Sequence, residues 1–141
     1  FLNSVAYGST TDNNVQVSGY YDNNMAQEVF NLTNQERANN GLPAYSWDSN
    51  MASYSDRRAK EIVTDYSHNS AGGNWSVGEN IAEGETSASE VVNDWMNSAG
   101  HKANILSDVS TKTSVSCYVE NFTYADGSTQ YLYHWVQNFT H

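Results

Sequence analysis

Four residues of this chain carry the side chains from which a metal-binding or acid–base site is built: His68, Glu79, Glu90 and His101. Neutral imidazoles are good ligands for zinc, and nearby carboxylates can fix their tautomers or hold a bound water. Each residue also has an ordinary reading. His68 follows Tyr66-Ser67 in a polar loop, and Glu79 in Gly78-Glu79-Asn80 reads as a surface or turn charge. Ser87-Ala88-Ser89-Glu90 matches a capping box, in which the glutamate reaches back to the cap amide. His101, after Gly100, could complement a helix dipole. The four are spaced by eleven residues (79−68, 90−79, 101−90), but Gly72, Gly73, Gly84 and Gly100 rule out one continuous helical face. His134, alternating with Leu132 and Val136, reads as packed, and Cys117 on an alternating apolar run reads as core.

The elements that must position these residues are legible in part. From Asp22, apolar residues at Met25, Val29 and Leu32 recur at helical spacing, with Asp22 or Asn23 as the cap and Gly41 then Pro43 as the stop. A second helix starts after Trp47, capped by Asp48 or Ser49. It shows Ala52, Ser55, Ala59, Ile62 and Val63 on one face and fades by about Asp65. Residues 66–86 read as loop. A third helix begins near Ser87, carries Ala88, Val91, Val92, Trp95 and Met96, and ends at Gly100, with a short turn at 103–106 after it. The period then switches to two through Val115, Cys117 and Val119, and again through Tyr131, Tyr133 and Trp135, with Asp126-Gly127 between as a hairpin turn. Helices followed by a terminal antiparallel hairpin predict an α+β layered domain over 22–141. Residues 1–21, rich in Ser, Thr, Asn and Gly, read as an N-terminal extension or linker.

Composition narrows the function. The chain has 141 residues, about one domain's worth, and carries six Lys+Arg against sixteen Asp+Glu, a formal charge of −10. Nucleic-acid binding draws on cations meeting phosphates, so no nucleic-acid partner is expected. Apolar runs are only a few residues long, so the chain is not expected to be transmembrane. The single Cys117 cannot form an internal disulfide.

Read together, several blocks resemble the CAP superfamily (cysteine-rich secretory proteins, antigen 5 and pathogenesis-related proteins of class one), and within it the bacterial extracellular, SCP-like branch. The blocks are Leu32-Thr33-Asn34-Gln35-Glu36-Arg37, Gly41-Leu42-Pro43, Trp47-Asp48, His68 and Gly78-Glu79-Asn80-Ile81-Ala82. The most specific stretch runs from Trp95 through Gly100-His101 to Leu106, and Trp135-Val136-Gln137-Asn138-Phe139 closes the pattern. The resemblance covers about residues 22–139. Ala99 and Lys102 depart from it, standing where the family usually has Pro and Arg, as do Ser114 and Ser116 in place of glycines.

What the resemblance implies is an α-β-α sandwich with an antiparallel sheet between helical layers and an open cleft. His68, Glu79, Glu90 and His101 would converge there as a tetrad, with His68 and His101 binding a labile divalent metal, commonly zinc, completed by water. Two protein ligands make a weak, exchangeable site, so the fold should stand without metal. The implied setting is extracellular or cell-surface. The function expected first is a secreted binding module for an unknown ligand, whether protein, glycan or lipid. One alternative is a metal-assisted hydrolase using the same tetrad, in which zinc on His68 and His101 would lower the pKa of its water with Glu79 or Glu90 as general base; a hydrolase also wants an oxyanion donor, and none is evident. The other is a sterol- or lipid-binding module with a structural tetrad, which needs an enclosed apolar pocket. The ten tyrosines supply amphipathic surface instead.

Overall fold

The computed structural model describes residues 14–141. In chain order these form β1 (Gln16–Tyr21), α1 (Asn23–Asn39), β2 (Ser46–Trp47), α2 (Ala52–Thr64) and β3 (Gly78–Glu83). They continue through α3 (Ala88–Met96), α4 (Ala99–Ile105), β4 (Lys112–Thr123) and β5 (Thr129–Thr140). The sheet has the order β1-β4-β5-β3 with antiparallel pairing throughout, and the two-residue β2 adds a parallel bridge to β4.

Both faces of the sheet are covered, which is the α-β-α sandwich. On one face Val115, Cys117, Val119, Trp135 and Phe139 pack against Ala26 and Val29 of α1, Val91, Val92 and Trp95 of α3, and Ile105 of α4. On the other face Ile81 and Val136 meet Ala59 and Ile62 of α2. A strand covered on both faces has no solvent side, so β4 and β5 bury successive residues rather than alternate ones. Small hydroxyls fit this second layer: Ser116 Oγ donates to Asp56 Oδ1 at 2.7 Å, and Ser55 contacts Ser114.

Local chemistry explains the boundaries. Asp22 caps α1 by accepting the Met25 N–H at 3.0 Å. Gly41, at φ 71°, ends it by letting the Leu42 N–H return to the Arg37 carbonyl at 2.9 Å. The β4–β5 turn centres on Gly127 at φ 87°, with Asp126 Oδ1 accepting the Ser128 N–H at 2.9 Å.

Four sequence expectations are revised. Residues 16–21, expected within the extension, pair with β4 as an edge strand; residues 1–13 of that extension lie outside the described residues. Residues 78–83, expected in a loop, form β3, because pairing with β5 supplies what so short and mixed a segment lacks in its own periodicity. The third helix stops at Met96, and α4 begins at Ala99, so Gly100 and His101 open a helix instead of closing one. Asp48 does not cap α2, whose N-cap is Met51; its Oδ1 accepts from Asn50 and Met51 N–H in the turn before it.

Candidate functional site

β3 is the last strand of the sheet, so elements from both helical layers can meet beyond its free edge. That edge is covered by side chains. The Glu79 carbonyl accepts from Asn104 of α4 at 3.4 Å, and the Ile81 carbonyl accepts from Trp95 of α3 at 3.2 Å and from Tyr66 after α2 at 3.4 Å. Asn80 points to the opposite face from Glu79 and donates to the His101 carbonyl at 3.2 Å. This places His101, from one layer, within electrostatic reach of His68, from the other.

At the centre stands Arg58 of α2, fully buried. Its five N–H groups all find acceptors. Nε and Nη2 fork onto the Glu79 carboxylate at 2.8 Å each, and Nη1 reaches Glu61 at 2.9 Å. Nη2 also meets the Ser67 carbonyl at 2.6 Å and Nη1 the Asn69 carbonyl at 2.9 Å. The two backbone groups flanking His68 are therefore held by the arginine that holds Glu79. Glu79 also accepts from Asn138 Nδ2 at 2.9 Å and lies 2.9 Å from His68 Nδ1.

Electrostatics follow from these contacts. Burial pushes the Glu79 carboxyl up, but Arg58, then Asn138 and His68, pull it further down, leaving it below the ordinary value of 4.5. An ionised carboxylate only accepts, so His68 must present Nδ1–H to it, and neutral His68 keeps its Nε2 lone pair free. Burial and the neighbouring His68 depress the His101 imidazole, which is thereby neutral near pH 7.

The structure thus joins His68 to Glu79 directly and ties the His101 backbone to Asn80 of the same strand. Glu90 sits apart, at the start of α3. Its Oε1 accepts the Thr86 N–H at 2.7 Å, while its own N–H donates to the cap Ser87 Oγ at 3.1 Å. Among the described residues, no group of three or more His, Cys, Asp or Glu could hold a metal ion. Cys117 and His134 are buried; His134 Nε2 lies 2.7 Å from Glu120 and its Nδ1 3.4 Å from Glu83.

Sequence reasoning missed Arg58, Asn80, Asn104 and Asn138. A signal existed for Arg58: it falls on the Ser55, Ala59, Ile62 face, where a buried guanidinium requires a buried partner. The three asparagines lie inside the blocks shared with the CAP superfamily, and that is the signal that could have marked them.

An α-β-α sandwich with a histidine-and-glutamate cleft over its edge strand defines a class of domain, and the comparisons name it. Residues 30–139 match CAP, the cysteine-rich secretory protein family, and the chain belongs to that family. It is 30% identical to the uncharacterized protein YkwD of Bacillus subtilis over 128 residues, 80% of this chain and 48% of that one. It is 29% identical to the secreted protein RBT4 of Candida albicans over 97 residues, 69% of this chain and 26% of that one. An extracellular protein with an SCP domain from Bacillus anthracis superposes with a TM-score of 0.65 at 26% identity, covering 84% of this chain and 41% of its own. The chain therefore spans about half or less of each of these relatives. Among the described residues, no helix is long and apolar enough to cross a membrane.

Proposed function

We propose that this domain is a secreted or cell-surface binding module whose cleft holds a labile divalent cation, zinc by the chemistry of its donors, on His68 and His101. The observation that carries the reading is the 2.9 Å contact of His68 Nδ1 with a Glu79 carboxylate kept ionised by Arg58. A carboxylate behind Nδ1 fixes the tautomer and raises the basicity of the outward Nε2, as second-shell partners do at zinc sites. Two imidazoles with water fit an exchangeable cation, and they do not make a closed four-ligand site. Glu79 acts as a positioning residue, and Glu90 serves the α3 terminus and takes no part. The extracellular setting draws support from relatives described as secreted or extracellular. The ligand presented to this cleft is protein, glycan or lipid in class.

Hydrolysis is the weaker reading. A general base works best with a pKa near the operating pH, whereas Glu79 is held low by a forked arginine. The test is calorimetric zinc titration at pH 7.4 of the wild type and of His68→Ala/His101→Ala. Binding by the wild type alone is expected; equal binding by both, or by neither, would remove the metal from the account.

A further inference from the structure

Beside the metal-proposed residues lies a cavity of about 260 Å³ lined by Tyr54, His68, Asn74, Ser76, Val77, Gly78 and Glu79. This is below the roughly 300–1,000 Å³ that encloses a drug-sized apolar molecule, and the imidazole, amide, hydroxyl and carboxylate groups in its mixed lining do not suit a sterol or acyl chain. At its rim, between lining residues Asn74 and Ser76, the Trp75 indole is 58% exposed, the most exposed of the four tryptophans. It is also fixed in place. Its ring lies 4° from parallel to buried Tyr54, with centroids 5.6 Å apart, and its Nε1 donates to the Gly72 carbonyl at 3.1 Å. Arg57 sits 5.2 Å from the Tyr54 centroid and 5.4 Å from that of Trp75. A cation over the outer indole face would be far from Tyr54, so Arg57 braces the pair from its flank and leaves the outer face open. Tyr54 both lines the cavity and underlies the indole, which makes the two one continuous surface.

We propose that this surface is a subsite for a neutral oligosaccharide, with one pyranose ring in the cavity against His68, Asn74 and Ser76 and the next stacked on Trp75. A flat, pre-ordered aromatic face beside hydroxyl and amide partners matches a ring that is apolar on its face and polar at its edge. Charge selects against the alternatives. Arg57 repels a cation from the indole, and the net charge of −10 repels a polyanion. A proline-rich peptide needs several exposed aromatic ridges forming a groove, whereas here Tyr54 is buried and Trp75 supplies the exposed ring. The proposal deepens the reading of this cleft as a binding site and rests on it.

The test is titration of the full chain with triacetylchitotriose, cellotriose and hexaproline, followed by tryptophan emission and calorimetry. Binding of at least one trisaccharide with a blue shift is expected. Trp75→Ala should weaken it by about tenfold or more, and Trp75→Phe by less. Zinc titration of Trp75→Ala should match wild type, so loss of the saccharide and loss of the metal are separately visible. No trisaccharide binding, equal affinity in Trp75→Ala, or hexaproline binding in their place would overturn the proposal.

Discussion

Arg58 is the residue on which the cleft turns, because it bonds at once to Glu79 and to the two carbonyls flanking His68. Truncating one partner of a buried pair leaves the other charge unpaired, so Arg58→Ala should cost about 3–5 kcal/mol in urea unfolding at pH 7. Arg58→Lys keeps the charge and loses the fork, and should weaken zinc about 10- to 100-fold in calorimetry through the loosened His68. The pH dependence has a definite sign. Glu79 is depressed below 4.5 in the folded state, so at acid pH the unfolded chain binds the extra proton first. Its contribution is complete above about 4.5 and lost as pH falls through the folded value. Glu79→Gln should therefore destabilise at pH 7, and the penalty should shrink as pH falls below 4.5, as urea midpoints across that range will show.

At the scale of elements, α3 carries its own test. Ser87 accepts the Glu90 N–H as a capping box requires, while Glu90 reaches the Thr86 N–H, one residue before the expected cap amide. Glu90→Ala should lower stability by about 1 kcal/mol in urea unfolding and leave zinc affinity unchanged; a fall in zinc affinity would return Glu90 to the cleft. The same element shows what sequence can disclose. The capping box is a local pattern over four residues, so it is readable, as are the Asp22 cap, the long α1 and the Asp126-Gly127 hairpin. β3 is not: Gly78–Glu83 becomes a strand only because β5 pairs with it and Asn104, Trp95 and Tyr66 bind its outer carbonyls. β1 is exposed along nearly its whole length, so no buried face marks it. The candidate histidines were visible as types, and the blocks shared with a known family tied them together. The guanidinium that braces His68 and Glu79 is not legible in the sequence, since its four partner residues come from α2, β3 and the loop between them.

On the scale of the whole molecule, the sandwich is held by two buried layers with no disulfide and with its one cysteine buried. Neither layer draws on the proposed cleft cation, so chelation with EDTA should leave the circular dichroism unchanged. Added zinc should raise stability by about 2.7 kcal/mol at a hundredfold excess over Kd, read as an increase in Tm. Affinity should decline below about pH 6, because imidazoles must be neutral to bind. The most direct measurement is nitrogen-15 NMR of the histidine rings during a zinc titration at pH 7.4. The account predicts that His68 carries its proton on Nδ1, that its Nε2 and a ring nitrogen of His101 shift with zinc, and that buried His134 does not. A His68 ring protonated on Nε2, or saturating zinc that moves neither His68 nor His101, would contradict it.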